Sequence, residues 1–596
     1  MYTDVMTEIA RFKAGRIHVA RAGLATQARL CVDMLQQGRG MAWVVKNRDE
    51  LLTARALMRL FSPELSSGDF LPDAFDKGGW TSLPPFSPRS ANREGWTERL
   101  SALYALRSGQ AKGLILTADN LLPKLVPLDF FENREVTLIR GEDVSLDMIL
   151  EQAVEWGYER VSMVSNPGEI ARRGDILDIM PPGYDKPIRL DFFGDLIEEI
   201  RLFDPVSQRS KANLSEVRVL PVSPIRQSPA DQAKMQARWK SLFQKNMLTE
   251  NERFGLTRLQ EQGDFRLLPG CCYDTATNLE AWLPADTVWV LPGLSDFRDM
   301  LSSAERLWTE AFEAQDVEGR PQPQRLAMRE ASDVESACER FACVHAEPLV
   351  MGIAKGIHDL PERSLSSFED LFPSTAEQDR PWQTLVQALK RWQNDKRQTI
   401  LCFASEKSRT KFLNLASQDG LSPLLRYSGE QHGLFALVAP FRAGAELIWD
   451  QSLILGEDLL QPHAEKSRRV PTGAFKGLDR YDELKPGDLL VHRDYGIARF
   501  GGLLRMETGS TANDFLLLHY SGDDRLYVPV DRLSLIQRFK GGGEAQADGN
   551  AEALRRLSGL DGQHHRQQPR GSQGQGRVGG EQGPLDARCA LGVGGD

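Results

Sequence analysis

The alternation of apolar and polar positions is cleanest between residues 171 and 209, ARRGDILDIMPPGYDKPIRLDFFGDLIEEIRLFDPVSQR. It predicts three short strands. Their links are Pro181-Pro182-Gly183 through Pro187, and Gly194-Asp195, where proline fixes φ and glycine permits positive φ. In the second strand Ile188, Leu190 and Phe192 share one face, and Arg189, Asp191 and Phe193 share the other. The third strand repeats the arrangement, with Ile200 and Leu202 inward and Arg201 and Phe203 outward. A phenylalanine among charges has two readings. It is a single exposed hydrophobe or one covered by a neighbouring helix, which is commonplace, or it belongs to a docking surface, where aromatics and arginines concentrate the binding energy.

Elsewhere the pattern is that of strand and helix in turn. Met41 to Val45 and Gly113 to Thr117 are compact apolar strands. Asn47 and Glu50 form a capping box for a helix whose apolar stripe is Leu51, Leu52, Ala54, Ala56, Leu57 and Leu60. A second helix is expected near Asp119. Such alternation over residues 1–140 implies a mainly parallel sheet. Leu146 to Trp156 reads as an amphipathic helix with Met148, Ile149, Ala153 and Val154 on its apolar side. Residues 227–365 return to the same style. They hold a polar helix over Asp231 to Phe243, a buried strand at Thr287 to Leu291, a helix from Leu294, and a surface loop at Pro321-Gln322-Pro323. Residues 366–465 form a small α/β unit with a helix over Trp382 to Trp392, a strand over Thr399 to Phe403, and a helix capped by Ser405 and closed by Gly420. It has no catalytic spacing and reads as a spacer. Glu465 to Gly477, basic around Lys466, Arg468 and Arg469, reads as a linker.

Residues 478–541 change register. About five short apolar runs alternate with turns at Pro486-Gly487, Gly501-Gly502, Thr508-Gly509-Ser510 and Gly522-Asp523-Asp524, the signature of a small curled antiparallel barrel. Leu504 and Met506 lie on one side of a strand flanked by Arg505 and Glu507. Met506 is the candidate anchor for a partner, with barrel core as the alternative. Residues 542–596 are rich in glycine, glutamine and arginine without apolar periodicity, a disordered composition. RNA binding there lacks the aromatics that stack on bases.

Composition narrows the function. The 596 residues are 41% hydrophobic and 26% charged, ordinary for several globular domains, and the net charge of −10 argues against a general basic clamp on nucleic acid. The seven cysteines form no paired CxxC sets, so they read as reduced buried thiols rather than zinc ligands. The lone histidines His345, His358, His432 and His463 read as structural or exposed, and Tyr158 and Tyr184 as packing or turn residues. Asp4 and Glu8 and the lack of a long apolar run argue against a signal peptide, and no apolar stretch is long enough to span a membrane. The expected location is cytoplasmic.

Two blocks carry a resemblance. RRGDILDIMPPG followed by PIRLDFFGDLIEEIRLFDPVSQRS resembles the module shared by UvrB and the bacterial transcription-repair coupling factors. GDLLVHRDYGIARF and LYVPV resemble the polymerase-interacting domain that these factors share with CarD-type regulators. The resemblance covers roughly residues 10 to 558. It implies a multidomain α/β chain: a UvrB-like, degenerate P-loop-type domain (1–140, completed by 227–365) with an inserted α+β docking domain (141–226). The spacer (366–465), a small all-β CarD/Tudor-like barrel (478–541) and the tail follow. It implies UvrA docking at Arg173, Arg189 and Phe193, and binding of the RNA polymerase β subunit at Met506, Leu504 and Arg499. GxxxxGK[ST] is absent. The place where UvrB has its phosphate loop, Gly23 to Arg29, has no lysine to reach phosphates and no adjoining hydroxyl for magnesium. UvrB's tyrosine-rich hairpin is also missing. The expectation is therefore an adaptor without metal, cofactor or ATPase activity. In the full-length family, an ATP- and magnesium-dependent translocase acts on double-stranded DNA. The text beyond Leu560 reads as an altered frame or an early stop. A lone CarD-like regulator is the alternative that uses only the barrel.

Overall fold

The computed structural model describes residues 2–11, 14–61, 79–205, 208–347, 357–374, 380–427, 432–460, 484, 487–492, 496–508, 511–519, 525–529 and 536–538. They belong to two compact units, residues 1–462 and 463–596.

The first unit begins with helix α1 (Tyr2–Arg11), then strand β1 (Gly15–Ala20), helix α2 (Leu24–Gln36), β2 (Met41–Val45), α3 (Arg48–Phe61), β3 (Trp80–Leu83), α4 (Arg93–Arg107) and β4 (Gly113–Thr117). The apolar runs MAWVV and GLILT are buried at every position, as expected of parallel strands covered on both faces. Asn47 Oδ1 accepts the Glu50 N–H (3.0 Å), the cap read from the sequence, while the Glu50 carboxylate reaches back to the Lys46 N–H (2.9 Å), one residue before the N-cap that a capping box would engage. The helix expected near Asp119 is only a 3-10 turn, Ala118–Leu121. Thr117 hydrogen-bonds the Asp119 carboxylate, and Asn120 donates to Pro84 O at 3.0 Å. Such local side-chain bonds compete with helix propagation.

Next come β5 (Val136–Ile139), α5 (Leu146–Glu155), β6 (Glu159–Arg160), β7 (Glu169–Arg173), β8 (Ile176–Ile179), β9 (Ile188–Phe193), β10 (Leu196–Phe203), β11 (Ser210–Leu214) and β12 (Glu216–Val219). Six of them make a sheet in the order β11-β10-β9-β8-β7-β6, while β5 pairs antiparallel with β12. The first of the three expected strands is in fact a hairpin. Gly174 at φ +62 turns β7 back into β8. Helix α5 packs on the sheet through Leu146, Ile149, Leu150 and Ala153. Met148 is 69% exposed and Val154 is also outside. At 100° per residue Met148 falls nearly opposite that stripe, so the buried side of the helix differs from the one expected.

The chain then returns to the first sheet. Strands β13 (Val288–Pro292), β14 (Ala342–Glu347) and β15 (Ile357–Asp359) complete it in the order β15-β1-β14-β13-β2-β4-β3, with every pairing parallel. Helices Pro229–Gln244, Glu250–Glu261 and Leu294–Val317 cover one side. Gln322, expected in a surface loop, is buried. Its amide donates to Arg266 O and to Gln315 Oε1 (both 2.9 Å) and accepts the Leu268 N–H at 3.2 Å. The flanking prolines carry a buried bridge between loops rather than an exposed turn.

A second sheet follows from β16 (Glu362–Leu365), β17 (Gln398–Phe403), β18 (Leu434–Val438), β19 (Gly444–Leu447) and β20 (Ser452–Gly456), ordered β16-β19-β20-β17-β18. Ser405 accepts the Ser408 N–H at 3.1 Å to cap the helix Glu406–Gln418, and Gly420 (φ +76) lies just past its end. One continuous apolar cluster joins Ala25, Ala28 and Cys31 of α2 to Ile400, Phe435, Ala445 and Ile454. Helix α2 is thus packed between two sheets.

In the second unit β21 (Leu489–His492), β22 (Gly496–Thr508), β23 (Thr511–His519), β24 (Arg525–Pro529) and β25 (Ile536–Arg538) form an antiparallel sheet in the order β24-β23-β22-β21-β25. Leu490, Ala498, Phe500, Leu516, Leu518 and Ile536 are its buried core. Barrel closure is not among the described pairings. The linker around Lys466 and the tail from residue 542 lie outside the described residues.

Candidate docking faces

Register places the three expected contact residues of the inserted module on one face. Asp178 pairs with Arg189 and Arg189 with Arg201, while Arg173 pairs with Ile176 and Ile176 with Asp191. Arg173 therefore stands two strands from Asp191, about 10 Å, and Phe193 four residues beyond Arg189, about 13 Å. Phe193 ends β9 at the Gly194 turn (φ +64) and is 74% exposed. Arg173 is also exposed, its Nη2 donating to Ser162 O at 2.8 Å.

Arg189 is differently placed. Its Nε and Nη2 donate to the two carboxylate oxygens of Asp178 at 2.7 and 2.8 Å, and Nη2 also donates to Gln208 Oε1 at 3.1 Å. Asp178 is 1% exposed, and its hydrogen bonds hold the Arg189 guanidinium above the usual arginine range. The same guanidinium lies 4.5 Å from the centre of the Phe203 ring. Phe203, expected outward, is fully buried. A register shift between Leu202 and Phe203, together with the Phe203 N–H donating to Pro187 O at 3.1 Å, folds the ring under Arg189. Arg189 is thus a brace within the face, and Phe193 is its protruding apolar feature.

Beside Phe193 lies an open pocket of about 620 Å³ lined by Arg140, Asp191, Leu196, Glu198 and Glu199. Leu196 is the cross-strand partner of Phe193, and Arg201 bridges Asp191 and Glu199. Sequence reasoning missed the pocket and the brace. The brace had a visible signal, an aspartate inside the apolar run ILDI facing an arginine one strand away.

In the second unit Arg499 is exposed and donates to Gly487 O at 3.1 Å. Leu504 stands opposite Phe515 and Met506 opposite Asn513. The side chains of Leu504 and Met506 lie outside the described residues. Strand β21 pairs with β22 only over Gly496 to Arg499, so among the described residues β22 is paired on one side alone from Gly502 to Thr508. Among the described residues that half of the strand has one unpaired edge, the kind of element used in recognition by strand addition.

The place of the expected degenerate loop is filled. Helix α2 starts after Gly23, and its Ala25 and Thr26 N–H groups donate to the Glu362 carboxylate at 3.2 and 2.7 Å. Burial pushes the Glu362 carboxyl up, while the N–H bonds from Thr26 and Ala25 pull the other way. A helix N-terminus is a ready anion site, and here β16 supplies the anion.

Most of the remaining candidates are buried or bonded within the fold. Cys31, Cys271, Cys272, Cys338, Cys343 and Cys402 are buried, and burial pushes the Cys271 and Cys343 thiols up to about 12. Among the described residues no cluster of histidine, cysteine and carboxylate is arranged to hold a metal, and no helix is long and apolar enough to cross a membrane. Tyr158 is buried and donates to Leu220 O at 2.8 Å, and Tyr184 accepts the Arg218 N–H at 3.1 Å. His345 is buried against Pro292 O, His358 bonds Glu8 at 2.6 Å, and His432 is exposed. His463 lies outside the described residues.

Comparison with known proteins matches residues 136–224 to the UvrB interaction domain and residues 484–540 to the CarD-like/TRCF RID domain. The chain is 29% identical over 512 residues to a transcription-repair-coupling factor of Myxococcus xanthus, covering 78% of this chain and 40% of that one. It is 28% identical over 500 residues to that of Escherichia coli, covering 78% and 41%. A third, from Haemophilus influenzae, is 28% identical over 529 residues, covering 83% and 43%. The chain spans about 40% of the length of these relatives and is similar to their N-terminal portion.

The brace makes a specific demand on stability. Arg189→Ala leaves the Asp178 carboxylate buried without its partner, a change that costs roughly 3 kcal/mol. Denaturant unfolding of the chain should show that loss, and Asp178→Ala combined with Arg189→Ala should lose less than the sum of the two. An unchanged unfolding midpoint for Arg189→Ala would show that the guanidinium is free to serve a partner directly.

Proposed function

We propose that this chain, which carries a UvrB interaction domain and a CarD-like/TRCF RID domain, is an adaptor of transcription-coupled DNA repair. It binds the RNA polymerase β subunit through residues 484–540 and recruits UvrA through the β9 face of residues 136–224. The observation that carries the reading is the exposed Phe193, a large aromatic on a braced sheet face inside the matched domain. A regulator of CarD type alone would have no use for that face. On this reading residues 1–541 supply the contacts of the coupling factor. The ATP-driven translocation of DNA that the family resemblance implies belongs to the remainder of the full-length proteins.

The first sheet, on the same reading, has no nucleotide chemistry. The segment Gly23 to Arg29 has no lysine, and the N–H groups that would cradle a phosphate are already bonded to Glu362. Calorimetric titration of the chain with ATP and magnesium should give no saturable heat at millimolar nucleotide, and ATP hydrolysis should stay at background. Saturable binding would overturn this part.

Removing one aromatic hot spot costs about 2 kcal/mol, roughly thirtyfold in affinity. Phe193→Ala should weaken UvrA capture on that scale and leave polymerase binding intact. Equal capture of UvrA by wild type and variant would remove the docking role from this face. Met506→Arg puts a charge on the half of β22 with the open edge. Binding to the polymerase β subunit should be lost while circular dichroism stays that of the wild type. A variant that unfolds instead assigns Met506 to the core.

A further inference from the structure

Helix α2 has no cap of its own. Gly23 at the N-cap is extended and has no side chain, and the first turn carries no acidic residue. The opening N–H groups of a helix need partners, and that end bears partial positive charge. Two of these groups are satisfied from far along the chain by the Glu362 carboxylate. The contact is fitted closely. A Cβ on Gly23 would lie 2.4 Å from the Glu362 carboxyl. A side chain at position 23 would have to displace the Glu362 carboxyl, whereas the φ of −74 would accept any residue.

The surroundings hold Glu362 in place. Its own N–H donates to Arg21 O at 3.0 Å, and Ile448 N–H donates to Pro361 O at 3.0 Å. Arg21 pairs with Asp359, its Nε donating at 2.9 Å. Trp449 Nε1 donates to the Thr26 hydroxyl at 3.0 Å, and the Trp449 ring stacks on Tyr2 at 4.3 Å with 9° between planes. Arg29, one turn further along α2, reaches the Tyr427 hydroxyl at 3.3 Å.

We propose that Glu362 is an internal ligand of the α2 N-terminus: its carboxylate occupies the anion cradle and locks the second sheet, residues 362–456, onto the first. The occupant comes from the chain itself, so the lock needs no partner and stands independently of the adaptor reading. Residues 362–456 are then a fixed extension of the first sheet. The mechanism is a charge-assisted pair of N–H bonds in a half-buried site, where an anion gains most from the helix end.

The test uses the full chain with Glu362→Gln, Glu362→Ala, Gly23→Ala and the double variant Gly23→Ala/Glu362→Ala, followed by native-state hydrogen exchange and thermal melting. Glu362→Gln keeps the shape and removes the charge. It should raise exchange at the Ala25 and Thr26 amides by about tenfold or more, the scale of a lost charged hydrogen bond, and lower the melting temperature. Sodium formate, compared with sodium chloride at the same concentration, should raise the melting temperature of Glu362→Ala and leave wild type unmoved. Gly23→Ala alone should destabilise, because its methyl meets the carboxyl, and should add nothing once Glu362 is alanine. Wild-type exchange and melting in Glu362→Gln would overturn the proposal. So would independent addition of the Gly23 and Glu362 effects, or formate acting equally on wild type and Glu362→Ala.

Discussion

The middle of the first sheet is made by the last strands to arrive. β14 lies between β1 and β13, and β13 bridges to β2. β1 and β2 do not pair with each other, so within the sheet they are joined through strands more than 200 residues downstream. Parallel strands must have both faces covered, and here β14 and β13 are buried almost throughout. Everything else hangs on this closure. It fixes where residues 136–219 leave the sheet and return to it, and it sets β15 beside β1, from which the chain runs straight to Glu362.

The face proposed for docking obeys a different logic. Interfaces concentrate energy in a few aromatic and arginine side chains held in fixed positions. On β9 these roles are divided. Asp178, Arg189, Gln208 and Phe203 form a half-buried stack of ion pair, amide and ring that stiffens the centre of the sheet. Phe193, at the strand's end, is left to solvent. An arginine whose guanidinium edge is bonded to Asp178 and Gln208 and whose plane lies against the Phe203 ring keeps one geometry, and the strand that carries Phe193 inherits it.

Much of this was legible in the sequence, because short-range rules act there. The caps at Asn47 and Ser405, the buried runs MAWVV and GLILT, and the alternation of Ile188, Leu190 and Phe192 against Arg189, Asp191 and Phe193 all follow from spacing of four residues or fewer. The failures needed long-range information. Alternation put Phe203 outside, but a bulge and a guanidinium from the neighbouring strand cover it. Prolines on either side of Gln322 read as a surface turn, yet its amide serves backbone groups more than fifty residues away. The bond between Arg189 and Asp178 joins neighbouring strands eleven residues apart, so it was not read although the aspartate inside ILDI was visible. The loss of a phosphate loop was legible at Gly23 to Arg29, whereas the carboxylate that fills the helix end was not, since 336 residues separate it from Thr26.

The pairing of β5 with β12 has a mechanical meaning. The two strands are antiparallel, with Val136 opposite Val219 and Ile139 opposite Glu216. The chain enters the inserted module at Val136 and leaves it at Val219, side by side. A pull on the Phe193 face away from the first sheet therefore runs along both backbones together, while the hydrogen bonds joining them lie across the pull. Tension is divided between two covalent strands and does not peel one from the other. A load applied to that face is shared by two backbones rather than one.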